Sequence, residues 1–236
     1  QYEVIDASAK TARITKVTEP ESKVTIPAEV NGYKIIEVGI FQKVALRRNT
    51  VVDETKGHVF DESDRKRIVE LVLPEAVKKI GNNAFAECKS MSKVIFPKNI
   101  TDIGSSAFAE DGALTEVKLG AKLMSIGSYA FTRCTQLKKL AIQSSRVRIG
   151  EFAFGAMIDG DKRANSSLIS ISLPNKFYGQ LMEECFNSYM GTEFTWPEFL
   201  GKKESEAFLK RALNLRMIRF PKGIKKIYIP ADSLWT

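Results

Sequence analysis

A chain with one histidine has few routes to acid–base or nucleophilic chemistry. His58 stands in "KGHVF", with no Ser or Cys nucleophile signature beside it. No phosphate loop of the GxxxxGK(S/T) type, no dinucleotide GxGxxG and no HExxH occurs. The acidic groups Asp61/Glu62/Asp64 and Glu183/Glu184 offer carboxylates of the kind glycosidases use. Such groups are also ordinary features of a solvated surface. Cys88 and Cys134 share one slot, three residues after Phe85 and Phe131, and Asp111 fills that slot between them. Cysteines two coils apart would lie roughly 10 Å apart at ~4.8 Å per strand, too far for a disulfide. Cys185 is off that slot, and no metal-type spacing appears, so three buried reduced thiols are expected. The expectation is a non-enzyme, with no catalytic residue, no cofactor and no metal site.

The chemistry left is recognition, and charge says where to look. The 236 residues carry a formal charge of +8. Between positions 201 and 226 nine basic residues, among them Lys202, Lys203, Arg216, Arg219, Lys222, Lys225 and Lys226, face only Glu204 and Glu206. A clustered positive field favours acidic glycans and other polyanions, although the same residues would also serve as a solubilising face. Nucleic acid is disfavoured because the window lacks interleaved exposed aromatics. With 44% apolar and 27% charged residues the composition is that of a soluble globular protein, and no apolar run approaches a membrane span. The chain opens at Gln1 with no charged or apolar leader, so a targeting segment is expected to be absent from it. Asn99 and Asn165 open glycosylation sequons, which matter only in a eukaryotic secretory host.

The elements that would present such residues are written as a repeat. "IGNNAF" at 80–85 recurs as "IGSSAF" at 103–108, "IGSYAF" at 126–131 and "IGEFAF" at 149–154, each step being 23 residues. Outside the hexapeptide runs an apolar triplet, Ile68/Leu71/Leu73 in one unit and Leu114/Val117/Leu119 in another. Its last two members alternate as in a short strand with one buried face. A strand so short cannot hide that face alone, and stacking successive coils buries it continuously. The expected fold is therefore mainly β with short helical turns. It is a right-handed solenoid with one parallel strand per coil, near 24–26, 71–73, 94–96, 117–119, 140–142, 171–173, 194–196 and 218–220. These strands should form a single parallel sheet. Phe85, Phe108, Phe131 and Phe154 should form an internal ladder. The paired glycines should supply either a positive-φ bend or a close backbone approach.

One domain is expected over 1–236. Residues 1–20 would be a capping hairpin, 21–223 about eight coils, and 224–236 a C-terminal cap protecting the last strand edge. Residues 155–167 read as a polar loop inserted into one coil.

"VTIPAEVNGYKIIEVG", the repeated "IGxxAFxxC" with "LxxVxLP" spacing, and the "IYIPADS" ending resemble the BspA-like leucine-rich repeat proteins. These are surface proteins of Bacteroides-type gut and oral anaerobes and of some protists. The resemblance implies a leucine-rich-repeat solenoid and an extracellular or cell-surface, non-catalytic adhesion or binding role toward host cells or matrix. It carries over no catalytic residue.

Two outward ladders follow from the register. Glu70, Lys93, Glu116 and Lys139 alternate in charge and should pair along the sheet. In the parallel ladder, Val72 and Ile95 are apolar where nothing internal needs them, with Lys118 next. Val72, Ile95, Lys118 and the loop residues Asp159, Asp161, Lys162 and Arg163 are therefore the candidate contacts for a protein or glycan partner. The basic segment 201–226 is the alternative, for acidic glycans, and a purely structural spacer is the third reading. A monomer is expected.

Overall fold

Short apolar alternation hides its inner face only when coils stack, and the chain folds that way. The computed structural model describes residues 1–41, 57–155, 168–182, 185–186, 193–195, 197 and 217–219. Strands β1 (Tyr2–Asp6) and β2 (Thr11–Ile14) form an antiparallel hairpin. Its turn is held by the Asp6 carboxylate accepting the Ala9 N–H at 2.9 Å. Next come β3 (Lys23–Thr25) and a second hairpin of β4 (Glu29–Val30) and β5 (Tyr33–Val38). Asn31 and Gly32 close that hairpin at φ 49° and 80°, the left-handed pair that a two-residue turn between twisted strands requires. A single helical turn, α1 (Glu62–Arg65), precedes the regular coils.

Each regular coil then has two strands. They are β6 (Glu70–Val72) with β7 (Lys79–Ile80), β8 (Lys93–Ile95) with β9 (Asp102–Ile103), and β10 (Glu116–Leu119) with β11 (Ser125–Ile126). They continue as β12 (Lys139–Ile142) with β13 (Arg148–Ile149), and β14 (Ser170–Ser172) with β15 (Gln180–Leu181). Finally β16 (Glu193–Thr195) pairs in parallel with β17 (Met217–Arg219). The fold is thus mainly β and solenoidal, as expected. To the expected strand of each coil is added a two-residue strand on the return side, built on the hexapeptide Ile.

The return side is one continuous ladder, in the order β1-β2-β5-β7-β9-β11-β13-β15. Ile80, Ile103 and Ile126 stand in register, followed by Ile149 and Leu181. The strand side departs from expectation. It is not one sheet but separate blocks, β3-β6-β8, β10-β12-β14 and β16-β17. Elsewhere two successive N–H groups share a carbonyl of the preceding coil: Ser92 and Lys93 donate to Val69, Lys138 and Lys139 to Thr115. No ladder pairing joins β8 to β10. Phe96 supplies the physical reason. Its slot holds Leu73, Leu119 and Ile142, all buried, and Leu173, half-buried, in other coils; Phe96 is half-buried and the one aromatic ring among them. Its ring lies 5.4 Å from Phe108 of its own coil and 6.4 Å from Phe131 of the next, so it reaches into the following coil and props the strands apart.

Inside, the Phe ladder is complete and longer than the hexapeptide alone suggests. Phe85, Phe108, Phe131 and Phe154 are wholly buried. Centroid steps run 5.3, 5.2 and 5.0 Å, with Phe60 at one end (5.6 Å) and Phe186 at the other (5.5 Å). Residues 181–186, "LMEECF", are thus a disguised hexapeptide. Leu181 takes the Ile slot. Cys185 takes the Ala slot, its carbonyl accepting the Phe154 N–H as Ala153 accepts that of Phe131.

The hexapeptide glycines serve close approach, not a bend, for none of the four has a positive φ. A Cβ on Gly81, Gly104, Gly127 or Gly150 would come within 2.6–2.7 Å of the carbonyl carbon of the equivalent glycine one coil earlier. The left-handed conformations fall instead on Asn83, Ser106, Tyr129 and Phe152, and on Glu87, Glu110 and Arg133.

Candidate functional site

Alternation along the short strands decides what the outer face shows. In β6, Leu71 is buried and Glu70 and Val72 point outward. Register pairs Val72 with Thr25 on one side and with Ile95 on the other. Ile95 is 41% exposed. Val69, just outside β6, is 43% exposed and accepts the N–H groups of Ser92 and Lys93 at 3.0 and 3.3 Å. Val72 and Ile95 therefore stand side by side on the outside of the β3-β6-β8 block, where the core has no use for them, and Val69 is exposed just before the same strand.

A charged rail runs beside them. Glu70 pairs with Lys23 at 3.4 Å and with Lys93 at 3.2 Å. The Lys93 hydrogen bond, with the Lys23 and Lys93 charges, holds the Glu70 carboxyl below its ordinary range against the opposing effect of burial. The rail ends there. Beyond the break Glu116 turns to Lys118 of its own strand at 3.1 Å, although register sets it opposite Lys139. Of the expected ladder the Glu70–Lys93 pair forms, Lys23 joins it from β3, and Glu116 leaves it.

Of the residues singled out from sequence, Val72 and Ile95 come together and Lys118 sits in the next block, exposed and paired with Glu116. Arg219 lies on β17 and makes two hydrogen bonds to the Glu193 carboxylate, at 3.0 and 3.1 Å. Asp159, Asp161, Lys162 and Arg163 lie outside the described residues, as do Lys202, Lys203, Arg216, Lys222, Lys225 and Lys226. Val69 was not read from sequence, nor was Ile169, 54% exposed at the equivalent place before β14. Their signal was available. The column Ser22, Val69, Ser92, Thr115, Lys138, Ile169 is polar except at these two positions.

His58 lines a cavity of about 300 Å³ with Lys16, Phe60, Asp61, Glu62, Arg65 and Glu87. Its ring nitrogens lie 2.9 and 3.0 Å from Arg65 Nη1. Lys16 pairs with Asp61 at 2.6 Å and Arg65 with Glu87 at 3.8 Å, so the acids and bases there hold one another. That lining contains no Ser, Thr or Cys nucleophile. Burial pushes the Cys88, Cys134 and Cys185 thiols far up, which removes the thiolate that nucleophilic or metal chemistry needs. Among the described residues no group of His, Cys, Asp and Glu could hold a metal ion, and no helix is long and apolar enough to cross a membrane.

The comparisons with known proteins agree with this geometry. The family model described as BspA type leucine rich repeat region matches residues 54–160 and 161–231, in 6 copies. A leucine rich cell surface protein from Faecalibacterium prausnitzii A2-165 superposes with a TM-score of 0.63 at 21% identity, over 93% of this chain and 52% of its own. A leucine rich repeat protein of T. pallidum gives a TM-score of 0.56 at 17% identity, over 93% of this chain and 78% of that one. Likeness at these identities is likeness of fold. The chain spans about half the length of the Faecalibacterium protein. No curated protein matches it.

Proposed function

The chain belongs to the BspA-type leucine-rich repeat family, and we propose that it is a non-catalytic interaction module that binds a host-cell or matrix protein through the outer face of its strands. The observation that carries this reading is the Val72/Ile95 pair, apolar and outward, beside the Lys23–Glu70–Lys93 rail. An apolar centre with a charged margin is the arrangement of a protein contact, where the centre supplies affinity and the margin sets orientation. The Faecalibacterium neighbour is described as a cell surface protein, which supports a surface or secreted setting for this chain. We further propose a single monomeric domain over 1–236 and no cofactor.

The second reading, acidic-glycan binding through 201–226, draws on the nine basic residues there. The Glu193 partner of Arg219 weakens it by one cation. Immobilised matrix proteins, screened against the purified chain at low and high salt, separate the two. Binding that survives salt and is lost on Val72→Ser with Ile95→Ser supports the sheet face. Binding lost with salt, and on neutralising Lys222, Lys225 and Lys226, supports the polyanion reading and overturns ours.

A further inference from the structure

The third residue after each hexapeptide Ile is held in the left-handed region in all four coils, at φ 55° for Asn83, 53° for Ser106, 61° for Tyr129 and 51° for Phe152. Asn tolerates that conformation, whereas for bulky side chains it is an outlier. The neighbouring coils show that the fold stands with Asn or Ser there. Two aromatic residues nevertheless occupy it in succession. Both are half-exposed, and their rings stack with centroids 5.4 Å apart and planes within 4°.

We propose that Tyr129, backed by Phe152, forms an aromatic shelf that receives the pyranose ring of a neutral glycan in the slot above Ser106. Phe152 covers one face of Tyr129. The planes are parallel, so the other face looks back along the coil axis toward Ser106, whose side chain is a single hydroxymethyl group. Successive rings of the internal Phe ladder stand 5.0–5.5 Å apart. A ring seated over Ser106 would thus meet Tyr129 at ordinary stacking distance, its C–H face on the π-face.

The floor suits hydroxyl groups. Asn83, Ser105, Ser106 and Ser128 are all half-exposed around the slot and carry small polar side chains that donate and accept. A flat apolar wall with a few convergent polar groups is the usual make-up of a small-ligand site. Charge argues for a neutral sugar. Glu110 and Arg133 neutralise each other at 2.8 Å, and the Glu151 carboxylate, which acts on the Tyr129 hydroxyl, would repel an acidic sugar. This site lies on the return side of the coils, whose sheet is separate from the one that carries Val72 and Ile95, and stands whether or not that face or 201–226 binds.

Saturation-transfer NMR on the full chain, with cellotetraose, mannotetraose and lacto-N-tetraose as probes, tests the shelf. At least one probe should receive saturation and titrate to the same affinity at low and high salt. Tyr129→Ser should weaken it by about tenfold or more, the size of one aromatic anchor, and Phe152→Asn should weaken it less. The melting temperature of Tyr129→Ser should not fall, since left-handed strain is relieved as the stack is lost. If that variant does not fold, Tyr129→Asn carries the test. No transfer to any probe, transfer abolished by salt, or affinity unchanged in the Tyr129 variant would overturn the proposal.

Discussion

Asp111 Oδ1 accepts the backbone N–H of Cys88 at 2.8 Å, from one coil to the next, and neither residue has any exposed surface. A carboxyl group therefore sits in a slot that Cys88 and Cys134 fill in the adjoining coils. Its second oxygen, Oδ2, is buried without a hydrogen-bond partner. Burial, then the charge of Glu87, pushes the carboxyl well above its ordinary range, and the Cys88 N–H only partly opposes this.

The sign of the pH effect follows. The unfolded carboxyl releases its proton near ~3.9, and the folded one holds it to higher pH. The contribution of Asp111 to stability is thus fully present below about pH 4 and is lost as pH rises through the folded value. Asp111→Asn, which does not titrate, should gain on the parent as pH goes from acid to alkaline. The difference should reach about 1–3 kcal/mol, the usual cost of an unsatisfied buried polar group. Urea melts of both proteins across that range check it, and a constant difference would refute the assignment.

The Phe ladder runs through the buried core of the regular coils. Phe108 touches it on both sides, with Phe85 at 5.3 Å and Phe131 at 5.2 Å, and Phe96 edge-on at 5.4 Å. Phe108→Ala should cost about 3–5 kcal/mol by leaving a cavity that three rings cannot all relax into. Chemical denaturation measures this directly.

Gly127 and Gly112 make a matched pair. A Cβ on Gly127 would lie 2.7 Å from the Gly104 carbonyl carbon, which is backbone and cannot swing away, whereas on Gly112 it would meet only Thr135 Oγ1 at 3.5 Å. Gly127→Ala should lose about 1–3 kcal/mol through overpacking and Gly112→Ala should stay near neutral. Equal melting temperatures for the two variants would contradict the coil-to-coil approach.

Cys88, Cys134 and Cys185 are free and buried, their thiols held protonated by desolvation. A thiol-reactive dye should label none of them in the folded protein and all three after denaturation. An intact mass under non-reducing conditions should match the fully reduced chain.

The sequence carried the coil, its period and its inside because Ile, Gly, Ala and Phe recur at one spacing for steric reasons. The strands began one residue earlier than read, for example Glu70–Val72 against 71–73, because pairing is shared by a polar residue the apolar triplet does not mark. The return strands were invisible: two residues carry no periodicity. Residues 181–186 escaped because Leu181, Met182 and Cys185 replace Ile, Gly and Ala at once. The break between β8 and β10 turns on one ring, Phe96, whose bulk reads as equivalent to Leu in any apolar pattern. On the outer face Val72 and Ile95 were legible from register alone. The Tyr129/Phe152 shelf was not, because its oddity is a backbone angle and not a residue type.

The break between β8 and β10 makes the molecule mechanically uneven. Along the return side a ladder of hydrogen bonds runs unbroken from the first hairpin to β15, and across from it the same length is notched once. A rod built so has a spine and a seam. It resists being stretched along the spine, yet flexes toward opening the seam with few hydrogen bonds to break. Ile95 lies on the lip of that seam, so a load applied at its patch is borne through Phe96 and the rings beneath it.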